Sequence, residues 1–398
     1  MTDLVVRRAG RLLTMTGAGV GALESAAVVV RAGLVTWVGA ERDLPAGIGD
    51  VAELDAAGAC VTPGFVDPHT HLVWAGSRRD DFVDRLAGVP YTEVAARGGG
   101  IHSTVRQTRA ASYTDLVEQA GARVDAMSRT GTTTVEIKSG YGLTEPDELR
   151  LLDVTDELRR TRGEAVESTL LGAHAVPPET GRAAYVDAVV AMLPAARAHR
   201  AGWCDVFCDR GAFTVDEARR VLTAARDAGL GRRIHAEQIA RTGAAELAAE
   251  LGCASADHLD HVDAAGARAL AAAGVVGVLL PACTLTMGHG DWGAAAVLRD
   301  AGATIALGTD CNPGTSWCES MPYVIQLACL AYRLPVEEAF RAATVDAARA
   351  LRRDDVGRVA VGARGDLAVL AADHEADLVA HLGAEPVTAT VVAGRVAG

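Results

Sequence analysis

Pro63-Gly-Phe-Val-Asp-Pro-His-Thr-His-Leu72 is an apolar, strand-like run that ends in two histidines, His69 and His71. Side chains two apart on an extended strand point to the same side, so these two imidazoles can grip one ion. Alone, the spacing also fits polar residues in a loop; its weight comes from the rest of the chain. Further candidate strands end near Lys138, His174, Cys208, His235, His258, Pro281 and Thr309, with helical stretches between them at 112–130, 145–162, 178–199, 215–228 and 244–251. Short apolar strands alternating with longer helices predict parallel βαβ units, and eight strands predict a closed (β/α)8 barrel of the TIM type over residues 62–349. His69, His71, Tyr141, His174, Asp209, His235, His258 and Asp310 all fall at or just past the C-terminal end of a candidate strand. In a barrel those ends converge on the mouth where active sites are built.

The two ends of the chain read differently. Segments such as Leu4-Val-Val-Arg, Ala26-Val-Val-Val, Asp366-Leu-Ala-Val-Leu and Thr388-Ala-Thr-Val-Val are short, β-branched and bounded by turns. Residues 1–61 and 350–398 are therefore expected to meet in one small β-sandwich domain. The 398 residues are 49% hydrophobic, enough for a substantial core. A net charge of −13 excludes the broad basic footprint of a nucleic-acid binder or a polybasic membrane protein, so neither partner is expected. It also means that a small anionic substrate needs a local cationic site. The opening Met1-Thr-Asp-Leu-Val-Val-Arg-Arg does not read as a secretory leader, and no run is long and apolar enough to span a membrane, so a cytoplasmic location is expected. The eight cysteines are scattered and read as buried thiols. Of 38 basic residues all but Lys138 are arginine; that lysine is either chance or a geometry arginine cannot supply, such as a salt bridge to Glu136 beneath the pocket.

His235 and Asp310 follow other strands of the same barrel. Together with His69 and His71 they offer three nitrogens and an oxygen, a set suited to one divalent transition ion, zinc by default, with a position left open for water. Such an ion lowers the pKa of water from ~15.7 towards ~7 and polarises a carbonyl. Asp310 is placed both to ligate and to accept a proton. His258, in Ser255-Ala-Asp-His-Leu, is placed to hydrogen-bond an oxyanion or shuttle a proton, or else to act as a further ligand. Arg78 presents a planar fork matched to a carboxylate. Gly98-Gly-Gly-Ile-His lacks the Gly-Lys-Ser/Thr sequel of a phosphate loop, and reads as a loop covering the site or as a plain long connection.

Several of these segments carry a family resemblance. Pro63–His71, Ala75-Gly-Ser-Arg78, Gly98-Gly-Gly-Ile-His-Ser-Thr104, Lys138-Ser-Gly-Tyr-Gly142, Gly172-Ala-His174, His235-Ala-Glu-Gln238, Ser255–Leu259 and Gly308-Thr-Asp-Cys-Asn-Pro-Gly-Thr315 together resemble the imidazolonepropionase family of the amidohydrolase superfamily, over nearly the whole chain. The HxH with a late Asp is shared across the superfamily; Lys-Ser-Gly-Tyr-Gly and Asp-x-Asn-Pro-Gly are more particular to the family. The resemblance implies hydrolysis of 4-imidazolone-5-propanoate to N-formimidoyl-L-glutamate, with a single zinc or iron ion on His69, His71, His235 and Asp310. It implies that Arg78 binds the propionate, that Tyr141 and His174 contact the substrate, and that Gln238 addresses the ring. Asn312, Gly314 and Thr315 would line the carboxylate end or the product, and the assembly would be a homodimer. Some members carry Glu where this chain has Gln238. A neutral amide is no base, so proton transfer is assigned to Asp310 and His258. Glu237 would point the opposite way if its strand continues. With no lysine after strand four, where binuclear relatives carry a carbamylated one, a single metal is expected. The nearest alternative is a deaminase of a purine or pyrimidine base working by the same metal chemistry. A barrel that has lost catalysis for a structural role is opposed by the intact ligand set.

Overall fold

Segments such as Thr-Thr-Thr-Val-Glu-Ile-Lys and Val-Gly-Val-Leu are buried at every position, as parallel strands covered on both faces must be. In the computed structural model, which describes residues 3–49, 51–288, 292–384 and 386–397, eight of them form one parallel sheet in sequence order. They are β1 (Phe65–Thr70), β2 (Thr132–Lys138), β3 (Ala165–Ala173), β4 (Trp203–Cys208), β5 (Gly231–Ala236), β6 (Ser255–His258), β7 (Val276–Leu279) and β8 (Ile305–Leu307). The circle closes just past β8. Thr70 bridges Cys311 in parallel, and the amides of Asp310 and His71 donate to the carbonyls of His69 and Cys311, each at 3.0 Å. The last rung of the (β/α)8 barrel is thus made by the two segments that carry His69, His71 and Asp310.

The intervening helices start where their caps dictate. Ser112, Thr144, Thr214 and Asp263 each accept a backbone N–H at the start of helices Tyr113–Arg129, Glu145–Thr161, Val215–Asp227 and Ala264–Ala273. Strands β7 and β8 end two residues before the expected Pro281 and Thr309. Pro281 opens a helix, Pro281–Met287, and the Thr309 amide turns back to the buried Asp67 carboxylate at 3.1 Å.

A second sheet joins both ends of the chain. It comprises Leu4–Leu13, Ala22–Arg31, Leu34–Ala40, Ala52–Asp55, Cys60–Pro63, Leu367–Leu370, Val387–Val392 and Arg395–Val396, around its own core of Leu4, Val6, Leu12, Val28, Val30, Val61, Leu367 and Val391. Cys60–Pro63 pairs with both terminal segments and then runs through Gly64 into β1. A Cβ on Gly64 would lie 2.2 Å from Thr133 Oγ1, so only glycine lets the chain pass from one sheet to the other. The strand bearing the two histidines is therefore anchored at its base. Beyond its tip, Arg123 lies over the Trp74 ring and donates to the carbonyls of Leu72 and Trp74, which fixes the chain just after His71. Among the described residues no helix is long and apolar enough to cross a membrane.

Candidate metal centre and active site

Strand alternation stacks charged side chains inside the barrel in layers. At the floor, the Arg233 guanidinium lies 4.2 Å from the Trp203 ring centroid. Above it Lys138, fully buried, places Nζ 2.9 Å from Glu136 Oε1, 2.8 Å from Asp205 Oδ2 and 3.7 Å from Asp257 Oδ2. The same two aspartates carry the next layer: Asp257 Oδ2 is 2.7 Å from His69 Nδ1, and Asp205 Oδ2 is 3.0 Å from His235 Nδ1. At His69 the Asp257 carboxylate, hydrogen-bonded to Nδ1, holds the proton there and leaves Nε2 as a free lone pair turned to the centre.

That centre is crowded with donors. The His69 ring centroid lies 4.5 Å from that of His235 and 5.3 Å from that of His71. Asp310 Oδ1 is 3.5 Å from His69 Nε2 and 3.4 Å from His71 Nε2. Ligand atoms of His69, His71 and Asp310 lie within 4.8 Å of one another, as do those of His69, His235 and His258. His69 Nε2 is buried with no hydrogen-bond partner. Burial, then neighbouring positive groups, hold His69 and His71 far below the usual imidazole range, so both are neutral and able to ligate. Neutral imidazoles around an orphaned nitrogen, backed by carboxylates, fit a divalent metal ion.

The rim is held in costly backbone conformations. Glu237, His258, Leu259 and Asp310 all have positive φ, between 51° and 78°. The kink at Glu237 turns its carboxylate away from the centre, where it accepts the Gly243 amide at 2.9 Å and Arg241 Nη1 at 2.6 Å. Gln238 turns inward, with Nε2 3.4 Å from Cys283 Sγ. His258 sits beside the cluster, its ring 5.2 Å from that of His235 and 5.4 Å from that of His69; burial pushes its pKa down to about 3.

The remaining positions divide by what they touch. His174 stacks on His71 at 5.2 Å and 21°, with Nδ1 3.0 Å from the Gly140 carbonyl, and Tyr141 packs 5.4 Å from His174. Arg78, 8% exposed, lies against Gly314, where a Cβ would come within 2.9 Å of Nη1. Its Nε is paired with Asp81, whose carboxylate also accepts the Gly100 amide at 2.9 Å. The triple-glycine turn thus braces the arginine. Asn312 uses both ends of its side chain on its own loop: Oδ1 accepts the amides of Gly314 and Thr315 at 2.8 Å, and Nδ2 donates to the Asp310 carbonyl at 2.7 Å. Asp209 likewise accepts the amides of Ile239 and Ala240, tying two rim loops together. Sequence reasoning missed Asp205, Asp257 and Arg233; of these only Asp205, in Trp-Cys-Asp-Val-Phe-Cys, stands out as a charge inside an apolar strand.

A parallel eight-stranded barrel with a buried His/Asp cluster at its C-terminal mouth defines a metal-dependent hydrolase. The amidohydrolase family matches residues 60–397. An imidazolonepropionase from Anaeromyxobacter dehalogenans is 47% identical over 383 residues, covering 94% of this chain and 91% of that protein. One from Salinispora arenicola is 47% identical over 93% and 92% of the two chains, and one from Geobacillus thermodenitrificans 42% over 100% and 98%. Among solved structures, an adenosine deaminase from Xanthomonas campestris with bound zinc superposes with a TM-score of 0.77 at 20% identity, covering 99% and 92%. A. niger ochratoxinase does so at 0.73 and 18%, covering 99% and 95%; at such identities the likeness is one of fold. The chain belongs to the amidohydrolase family and, within it, to the imidazolonepropionases.

Proposed function

We propose that this chain adds water across the cyclic amide C–N bond of 4-imidazolone-5-propanoate, releasing N-formimidoyl-L-glutamate in histidine degradation. The observation that carries the reading is a buried arginine, Arg78, at the same mouth as the four donors His69, His71, His235 and Asp310 in a chain of net charge −13. A divalent ion on those donors, zinc in this proposal, supplies Lewis-acid polarisation of the carbonyl and a lowered pKa for water. Arg78 binds the propionate through two parallel N–H donors, with Gly314 and Thr315 along the carboxylate. Tyr141 and His174 pack on the ring and exclude water from it, and Gln238 hydrogen-bonds a ring heteroatom. Asp310 takes the proton of the attacking water and delivers it to the ring nitrogen as the C–N bond breaks. His258, neutral at working pH, donates a hydrogen bond to the developing oxyanion. Asn312 acts through the loop that holds Asp310 and Gly314.

A nucleobase deaminase would share the metal chemistry, yet its substrates have no carboxylate for Arg78. Purified protein is incubated with imidazolone propionate and, separately, with guanine and cytosine, and its metal content is measured. Loss of the imidazolone absorbance with one zinc per chain supports the proposal; ammonia from the bases with the imidazolone untouched overturns it, and one iron per chain overturns the choice of metal. A homodimer is the proposed assembly, to be read by sedimentation.

A further inference from the structure

One grouping at the barrel mouth brings two side chains of this scheme, His258 and Asp310, up against a third that the scheme does not use. A ring nitrogen of His258, Cys283 Sγ and a carboxylate oxygen of Asp310 lie within 4.8 Å of one another, and all three residues are buried. Cys283 stands on helix Pro281–Met287, carried in by the turn that ends β7. Its thiol faces Gln238 Nε2 and interacts with Asp310 and Thr315. His258 Nδ1 is buried without a hydrogen-bond partner.

A thiol, an imidazole and a carboxylate make a softer donor set than the three imidazoles and one carboxylate beside it. Zinc accepts both sets, and a more thiophilic ion favours the one with sulfur. Tetrahedral zinc keeps its donors within ~4 Å of one another, so a small side-chain rotation brings this trio into range. Binding would release the thiol proton to solvent, one proton per ion. Asp310 would then be shared between two cations and His258 would lose its free nitrogen.

We infer that His258, Cys283 and Asp310 form a second, inhibitory site for a thiophilic divalent cation, which stops turnover by occupying the two side chains that handle the proton and the oxyanion. The inhibitory part rests on the roles proposed above for Asp310 and His258; the binding part does not.

The test titrates cadmium into the zinc-loaded enzyme, on a background with the half-buried Cys318 and Cys329 replaced by alanine. Sulfur-to-cadmium charge-transfer absorption, metal stoichiometry and imidazolone turnover are followed together, with zinc in excess as a second titrant. The parent takes up a second equivalent, shows a single-thiolate band and loses turnover in step, while zinc excess inhibits without displacing the first ion. Cys283→Ala keeps its basal turnover, shows no band and needs about 10-fold or more cation for the same inhibition. Inhibition and band unchanged in Cys283→Ala overturn the inference, as does an active parent indifferent to both metals. A band lost in Cys283→Ala from a protein with no imidazolone turnover overturns the proposed function and leaves the binding site standing.

Discussion

Lys138 shows how much one residue can decide. It is the chain's single lysine, and its ammonium is the shared counter-charge of Glu136, Asp205 and Asp257, the last two of which face the His235 and His69 imidazoles. Lys138→Met removes the nearest counter-charge of those carboxylates, with Arg233 left 4.0 Å from Glu136; we expect a loss of about 3 kcal/mol in stability, read by denaturant melts. Metal affinity should fall about 10-fold or more in chelator competition, because the carboxylates that orient His69 and His235 lose their anchor. Asp310→Asn removes the proton acceptor and should cut kcat by roughly 10²–10⁴-fold with the circular dichroism unchanged. Arg78→Ala should instead raise KM by about 10- to 100-fold with a lesser effect on kcat, the loss of a charge-assisted pair to the substrate carboxylate. An effect confined to kcat would remove Arg78 from carboxylate binding. The chemistry of single residues was legible where it lay at a strand end. The partners were not, because Asp257 meets His69 across 188 positions of sequence.

At the scale of elements, the rim depends on turns that only certain backbones can make. The loop after β2 passes through Gly140 at φ +108°, where a Cβ would stand 2.8 Å from His174 Nδ1. Gly140→Ala should cost about 1–3 kcal/mol in thermal melts. It should also raise KM, since relief of the clash moves His174 off His71. The same loop is held by Glu148, whose carboxylate accepts the amides of Gly140, Gly142 and Leu143 at 2.7–2.8 Å. Helices and strands were readable because hydrophobic period and capping residues are local signals. The connection after β1 was read as a loop, yet it contains helices Arg79–Leu86, Tyr91–Ala96 and Ile101–Ala110. Arg79–Leu86 buries no residue, so hydrophobic period gave nothing to detect there.

For the whole molecule, the question is what ties the two ends of the chain to one another. Arg11, on strand Leu4–Leu13, donates Nε and Nη2 to the buried Glu375 carboxylate at 2.7 and 2.9 Å. Burial raises the Glu375 pKa, and Arg11, with a backbone amide and His374, more than reverses it, leaving the carboxyl below its usual range. A depressed folded-state pKa means that the pair's stabilisation is fully present above the unfolded value near ~4.5 and is lost as pH falls through the folded value. Arg11→Ala should therefore destabilise by about 3 kcal/mol near neutral pH. The difference from the parent should shrink in urea melts as the pH is lowered below about 4. A difference independent of pH would mean that Arg11 contributes packing alone.

Alternation of strands and helices, the β-rich ends and the placing of His69, His71, His235 and Asp310 at strand ends all follow from near neighbours in the chain, and were therefore determined by the sequence alone. What only the tertiary structure decided is lateral: which strand lies beside which, and at what register. His235 stands opposite Asp257 in the β5–β6 ladder, yet their carboxylate and imidazole partners come from β4 and β1. The Lys138 hub and the approach of Cys283 to Asp310 arise in the same way, from eight strands closing into a ring, which brings side chains into contact across distances that no local pattern encodes.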